Sequence, residues 1–176
     1  MKFINSITST DTDPVSWDES DSSNKMSLPT FGQTLLTLVA IVTSTGCFLA
    51  DWNETHIYNP TWTAHAKFHN GQTMSMGALL GLAALWYIYA PAKTAASPSA
   101  RREAELQNLR TVVLLDGLYW ITQASGYAYP GSAGFDPIPG REDAVQDSLL
   151  QAKLDAVLLA MVGVGYWLEK RRILGS

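Results

Sequence analysis

Cys47 is the only cysteine in 176 residues, so the chain has no disulfide, no thiol pair for redox relay and no thiolate cage for a metal. Histidine is almost as scarce, and its three copies fall in one stretch. No basic run interleaved with aromatics occurs, which excludes the electrostatic footprint of a nucleic-acid binder. The opening string M-K-F-I-N-S-I lacks the long apolar core of a signal peptide, so the first apolar run is expected to insert the chain. No long apolar run carries the continuous charged face that a soluble four-helix bundle needs.

What is present is a segregated chain. Residues 1–29 hold Asp11, Asp13, Asp18, Glu19 and Asp21 among many Ser and Thr, too little apolar surface to offset the entropy of ordering. Apolar runs then cover Phe31 to Ala50, Thr73 to Ala90, Val112 to Tyr129 and Leu149 to Leu168. Each approaches the roughly 20 residues a helix needs to cross about 30 Å of hydrocarbon. The expected fold class is therefore all-α: an integral membrane four-helix bundle over residues 30–172, behind a disordered polar tail. Nine Lys and Arg flank one side (Lys2, Lys25, Lys93, Arg101, Arg102, Arg110, Lys170, Arg171, Arg172) against Lys67, Arg141 and Lys153 on the other. That bias puts both termini in the cytoplasm, and in a eukaryotic cell the expected membrane is the endoplasmic reticulum or another internal one.

All three histidines lie in D-W-N-E-T-H-I-Y-N-P-T-W-T-A-H-A-K-F-H-N-G-Q, residues 51–72, on the non-cytoplasmic side. Asn59 as N-cap and Pro60 at the first helical position would start the second helix there. His65 and His69 would then sit one turn apart on a face that Gln72 and Met76 continue. Asn53-Glu54-Thr55 is formally a glycosylation sequon, two residues beyond Asp51 and so too close to the membrane for ready modification. The stretch 91–110 reads as a polar connector, and Gly131 to Arg141 as a Gly/Pro-rich loop able to cover the histidines.

Polar stripes recur inside the spans. Gln33, Thr37, Ser44 and Asp51 share one face of the first; Asp116, Tyr119, Gln123 and Tyr127 share one of the third; Gln151 and Asp155 share one of the fourth. An aspartate within a span is costly unless paired or hydrated, which marks Asp116 and Asp155 as functional candidates. Three readings of the resulting outer pocket stay open. His65, His69 and a carboxylate could hold a metal, although H-x-x-x-H alone supplies two ligands. Alternatively His65 or His69 with Asp51 or Asp155 forms an acid–base pair acting on a lipophilic molecule, in the manner of an isomerase, cyclase or hydratase without a cofactor. His56, Gln72, Asp116, Tyr119, Gln123 and Tyr127 would then contact the substrate. The third reading is a non-catalytic scaffold or assembly subunit, in which the stripes only hydrogen-bond helix to helix. Expected partners are the lipid bilayer and a hydrophobic small molecule. A transporter is disfavoured, because four spans without a repeat leave little room for alternating access, although a homodimer could supply it.

The 51–72 string resembles the signature of small four-helix integral membrane proteins of undefined function found in fungi and bacteria. The resemblance implies the fold and the membrane setting and no activity. The size and buried acids are also similar to the sterol-isomerase-like membrane family, in architecture alone, since the histidines here precede the second span.

Overall fold

The computed structural model describes residues 28–90 and 97–175, and among these it is all-helical, with no strands. The expected tail, apart from Leu28 and Pro29, lies outside the described residues, as do Lys93 and the rest of 91–96. Four helices follow in order: α1 (Phe31–Asp51), α2 (Ala64–Tyr89), α3 (Pro98–Ser125) and α4 (Leu150–Gly175). By helical rise they are about 31 to 42 Å long. Residues 98–110, expected in a connector, instead form the first half of α3, because Ser97 accepts a bond from the Ala100 amide as N-cap and Pro98 stands just inside.

The start of α2 also differs from the sequence expectation. Thr63, whose hydroxyl accepts from the Ala66 amide, is the N-cap. Asn59 is spent elsewhere: its carbonyl oxygen accepts from the Thr61 amide at 2.9 Å and hydroxyl at 2.7 Å, and its amide donates to the Thr55 carbonyl at 3.0 Å. Two capping residues compete within five positions, and the buried one closes the connector as an Asx turn.

Each helix packs on its neighbours in the order α1, α2, α3, α4 and back to α1, while α2 and α4 stand diagonally with no close backbone approach. One end of the bundle, the histidine end, joins Asp51, the α2 N-terminus, Gln123 and Gln151. The opposite arginine end joins Thr30, the N-terminal half of α3 and the C-terminus of α4.

Small residues set the close approach of α1 to α2. A Cβ on Gly81 would lie 2.4 Å from the Ala40 carbonyl oxygen, and one on Gly77 would lie 2.9 Å from the Thr43 carbonyl oxygen. G-A-L-L-G therefore acts as a small-xxx-small contact. The core between the helices holds Val39, Met74, Tyr119, Leu158 and Val162. Within it the Trp120 indole N–H donates to Thr43 Oγ1 at 2.9 Å, both residues being buried. Trp120→Phe is expected to cost about 1–2 kcal/mol for the lost bond and volume, read as an earlier unfolding midpoint.

The segment from Tyr129 to Leu149 arches over the histidine end. Its I-P-G-R tip is a turn with Pro139 before Gly140, whose φ of 76° suits glycine. Trp62 Nε1 donates to Asp136 Oδ2 at 2.8 Å, and Tyr127 OH donates to the Ser148 carbonyl at 3.1 Å, tying the arch to both sides of the bundle. At its far end the Lys153 ammonium and the Leu149 amide hold the Asp147 carboxyl below the usual carboxylate range. A lowered folded-state pKa means this contact is complete above the ordinary aspartate range and is lost as pH falls below that range, through the folded-state pKa. Amide exchange at Leu149 and Leu150 is expected to accelerate at acid pH before the rest of α4 does.

Candidate functional site

Asp51 ends α1, where a carboxylate meets the negative end of the helix dipole. Two partners offset that penalty: Asn70 Nδ2 donates to Asp51 Oδ2 at 2.8 Å, and His56 Nε2 stands 3.7 Å from Asp51 Oδ1. The other ring nitrogen of His56 bonds the Thr55 hydroxyl at 2.7 Å, and its ring meets Trp62 edge-on at 4.8 Å. His56 is thus held on three sides, with its side chain 28% exposed.

This pair borders a cavity of about 290 Å³ at the histidine end. Its polar lining includes Asp51, His56, Thr73, Tyr119, Gln123, Tyr127 and Gln151, and Val42, Gly46, Ala50 and Leu154 supply an apolar wall. Gln123 Nε2 donates to Gln151 Oε1 at 2.7 Å, forming a rung between α3 and α4. Below that rung, Asp155 lies about 6 Å deeper by helical rise and Asp116 about 10 Å. Both are buried, at 2% and 0% exposure, and neither carboxyl has a hydrogen-bond partner among the described residues. Buried polar groups are ordinarily paired. These two are the least satisfied groups of the bundle interior.

His65 and His69 are elsewhere. Both are exposed on α2 and absent from the cavity lining. Their Nε2 atoms are 3.1 Å apart, and His69 Nδ1 lies 3.3 Å from Gln72 Oε1. An amide oxygen only accepts, so His69 donates from Nδ1 and takes the His65 N–H at Nε2. The buried stripe of α2, namely Met74, Gly77, Gly81 and Ala84, is centred about 130° round the helix from His65, His69, Gln72 and Met76. Asp155, on the diagonal helix, is not brought to either histidine. Among the described residues, no group of three or more His, Cys, Asp and Glu is placed to hold a metal ion. The structure thus gathers Asp51, Tyr119, Gln123, Tyr127 and His56 from the sequence candidates, and sets His65, His69 and Gln72 apart. Asn53 spends its amide N–H on the Ala50 carbonyl at 2.6 Å and its oxygen on Thr55.

Sequence reasoning passed over Gln151 as a cavity residue and Glu169 altogether. Glu169 is buried at the arginine end, where Thr30 Oγ1 donates to its Oε1 and Arg172 Nε donates to its Oε2 at 2.7 Å. Gly32 makes the room, since a Cβ there would lie 2.6 Å from Glu169 Oε1. The available signal was that Glu169 continues the inward face of Asp155, Leu158, Val162 and Gly165.

No curated protein and no solved structure matches the chain. A family of unknown function, DUF6640, matches residues 35–176, which takes in α2, α3, α4 and all of α1 after its first turn. The chain belongs to this family.

Proposed function

We propose that the chain is a multi-pass membrane protein whose histidine-end cavity binds a lipophilic small molecule, with His56 and Asp51 as its proton-transfer pair. Among the described residues, α1 alone is by composition and length apolar enough to cross a membrane. The reading for all four helices rests on where the charges lie. From Lys67 to Tyr89, Arg110 to Ser125 and Lys153 to Lys170, the only charged residues between the end ones are Asp116, Asp155 and Glu169, and all three are buried. The exposed side chains over the same levels include Leu79, Leu82, Leu114, Leu118, Ile121, Val157 and Val164. A bundle in water would have the reverse arrangement. In hydrocarbon it is the expected one. The charge bias then directs the arginine end to the cytoplasm.

The single observation that carries the binding reading is the cavity itself, apolar on one wall and lined on the other by a histidine beside a carboxylate. The bonds Trp120–Thr43 and Gln123–Gln151 suit a bundle whose polar groups only join helices. Such a bundle has no use for a cavity of about 290 Å³ with unpartnered carboxyls beneath it. A bound molecule with one polar group would present it to His56, Asp51 and the glutamine rung and lay its body on Gly46, Ala50 and Leu154.

Gly46 offers a clean test, since a Cβ there meets only Val42 Cγ1, at an ordinary 3.5 Å. Gly46→Leu is expected to fill the cavity without breaking the helix contacts. Organic extracts of the purified protein should contain a lipophilic compound in near-stoichiometric amount, and the Gly46→Leu protein should lose it. Incubation in D₂O should place deuterium on a carbon of that compound with the parent protein and not with His56→Gln. Identical extracts from the two proteins would remove the binding reading, and deuterium uptake unaffected by His56→Gln would remove the proton-transfer role.

A further inference from the structure

The arginine end has a cavity of its own, about 410 Å³, which the histidine-end chemistry does not use. Its walls come from all four helices. Leu36, Ile88, Leu109 and Val112 give it an apolar floor, and Gln33, Arg101, Glu105, Asn108, Glu169 and Arg172 give it a polar side.

The hydrogen-bonding balance of that side is uneven. Both carboxylates are engaged: Glu169 by Thr30 and Arg172, and Glu105 by Arg101 Nε at 3.0 Å and Arg172 Nη2 at 3.8 Å. The donors are in excess. Among the described residues, Arg101 uses only its Nε, Gln33 uses only its side-chain oxygen and its backbone, and the Asn108 side chain has no hydrogen bond. Two arginines and two glutamates leave the lining formally neutral, so the group that completes it is rich in acceptors and carries little net charge. A zwitterionic phosphodiester head such as phosphocholine fits, because guanidinium and amide N–H groups bind its free oxygens in a fork and its own ammonium offsets its charge. The apolar floor calls for a hydrocarbon chain attached to it.

We infer that the arginine-end cavity binds a membrane phospholipid through its phosphodiester, held by Arg101, Asn108, Gln33 and the outer nitrogens of Arg172. The first carbons of an acyl chain lie on Leu36, Ile88 and Leu109. This rests on the membrane reading above and is independent of the histidine-end ligand. The cavity holds a headgroup and the start of a chain, while the rest of the lipid extends along the bundle.

The test is native mass spectrometry of the full chain in detergent with dioleoyl phosphatidylcholine. The parent should retain one lipid, and Arg101→Gln combined with Asn108→Leu should weaken retention about tenfold, the size of one lost charge-assisted bond. Arg101 is well exposed and the double variant should unfold with the parent. Gly46→Leu, at the other end, should retain the lipid unchanged. Soluble glycerophosphocholine, with the same phosphodiester head and no chains, should bind at least tenfold more weakly than the lipid. Unchanged retention in the double variant overturns the inference, equal loss in Gly46→Leu overturns its location, and equal binding of the soluble diester overturns the lipid as its source. Extraction of the chain from membranes by alkaline carbonate would instead sink the membrane reading beneath it.

Discussion

Gly81→Val is expected to lower the stability of the bundle by about 3 kcal/mol, at the upper end of what overpacking costs, because the clash is with backbone. A Cβ at this position would sit 2.4 Å from the Ala40 carbonyl oxygen, 2.6 Å from the Ser44 amide nitrogen and 2.7 Å from Ser44 Cβ. No rotamer change relieves contacts with main-chain atoms, so α1 and α2 must separate. Separation would loosen everything α1 organises, since α1 packs on both α2 and α4 and carries Thr43, Cys47 and Asp51. Gly163→Val is the matched control: the same kind of residue on an exposed stretch of α4, with nothing within 4 Å of the added Cβ. Its effect should be the glycine-to-valine helix propensity difference alone, a few tenths of a kcal/mol in either direction. Thermal or denaturant unfolding of both variants in detergent checks the pair. Similar midpoints would mean that α1 and α2 do not rely on their close approach.

Glu169→Ala should be the other severe substitution. Its side chain is 5% exposed and receives Arg172 Nε at 2.7 Å together with the Thr30 hydroxyl that also caps α1. Removing one partner of a buried pair commonly costs 3–5 kcal/mol. Here Arg172 is 43% exposed and can turn to water, so about 2–3 kcal/mol is expected once solvent screening is allowed for. Glu169→Gln keeps the acceptor oxygen for one donor and should recover about half of the loss. Equal destabilisation by Ala and Gln would assign the role to the charge, and no destabilisation by either would show the network to be without consequence. The same variants should leave the cavity near His56 intact, since Glu169 lies about 27 Å from the Gln151 rung along α4.

How far these features were legible in the chain can be argued residue by residue. Asp116 and Asp155 were found by stripe and by cost, and both are buried. The end of α1 at Asp51 followed from the apolar run stopping there. His65 and His69 drew attention because i, i+4 spacing guarantees a shared face. Spacing cannot say which way that face looks. On α2 the direction is set by Gly77 and Gly81, the residues that let α1 approach, and the histidines fall on the opposite flank. G-A-L-L-G was readable in the sequence and was the signal that would have turned the helix correctly. His56, three residues before the competing Asn59 cap, had no periodicity to recommend it. It is brought to Asp51 by the connector's Asx turns and by Trp62, contacts made only when the chain has folded back.

By itself the sequence determined the helices, their number, the end that gathers positive charge and the cost of the aspartates within them, because apolar run length, charge bias and helical period are local properties of a chain. Only the tertiary structure decided which faces meet. Glu169 is buried because Gly32 and Thr30, distant in the chain, leave it room and a partner. The histidine that meets Asp51 is His56 because α2 rolls its glycines, and not its histidine pair, toward α1. Helix rotation is fixed by steric fit between surfaces that no single segment contains, and that fit is what placed the two cavities at opposite ends of one bundle.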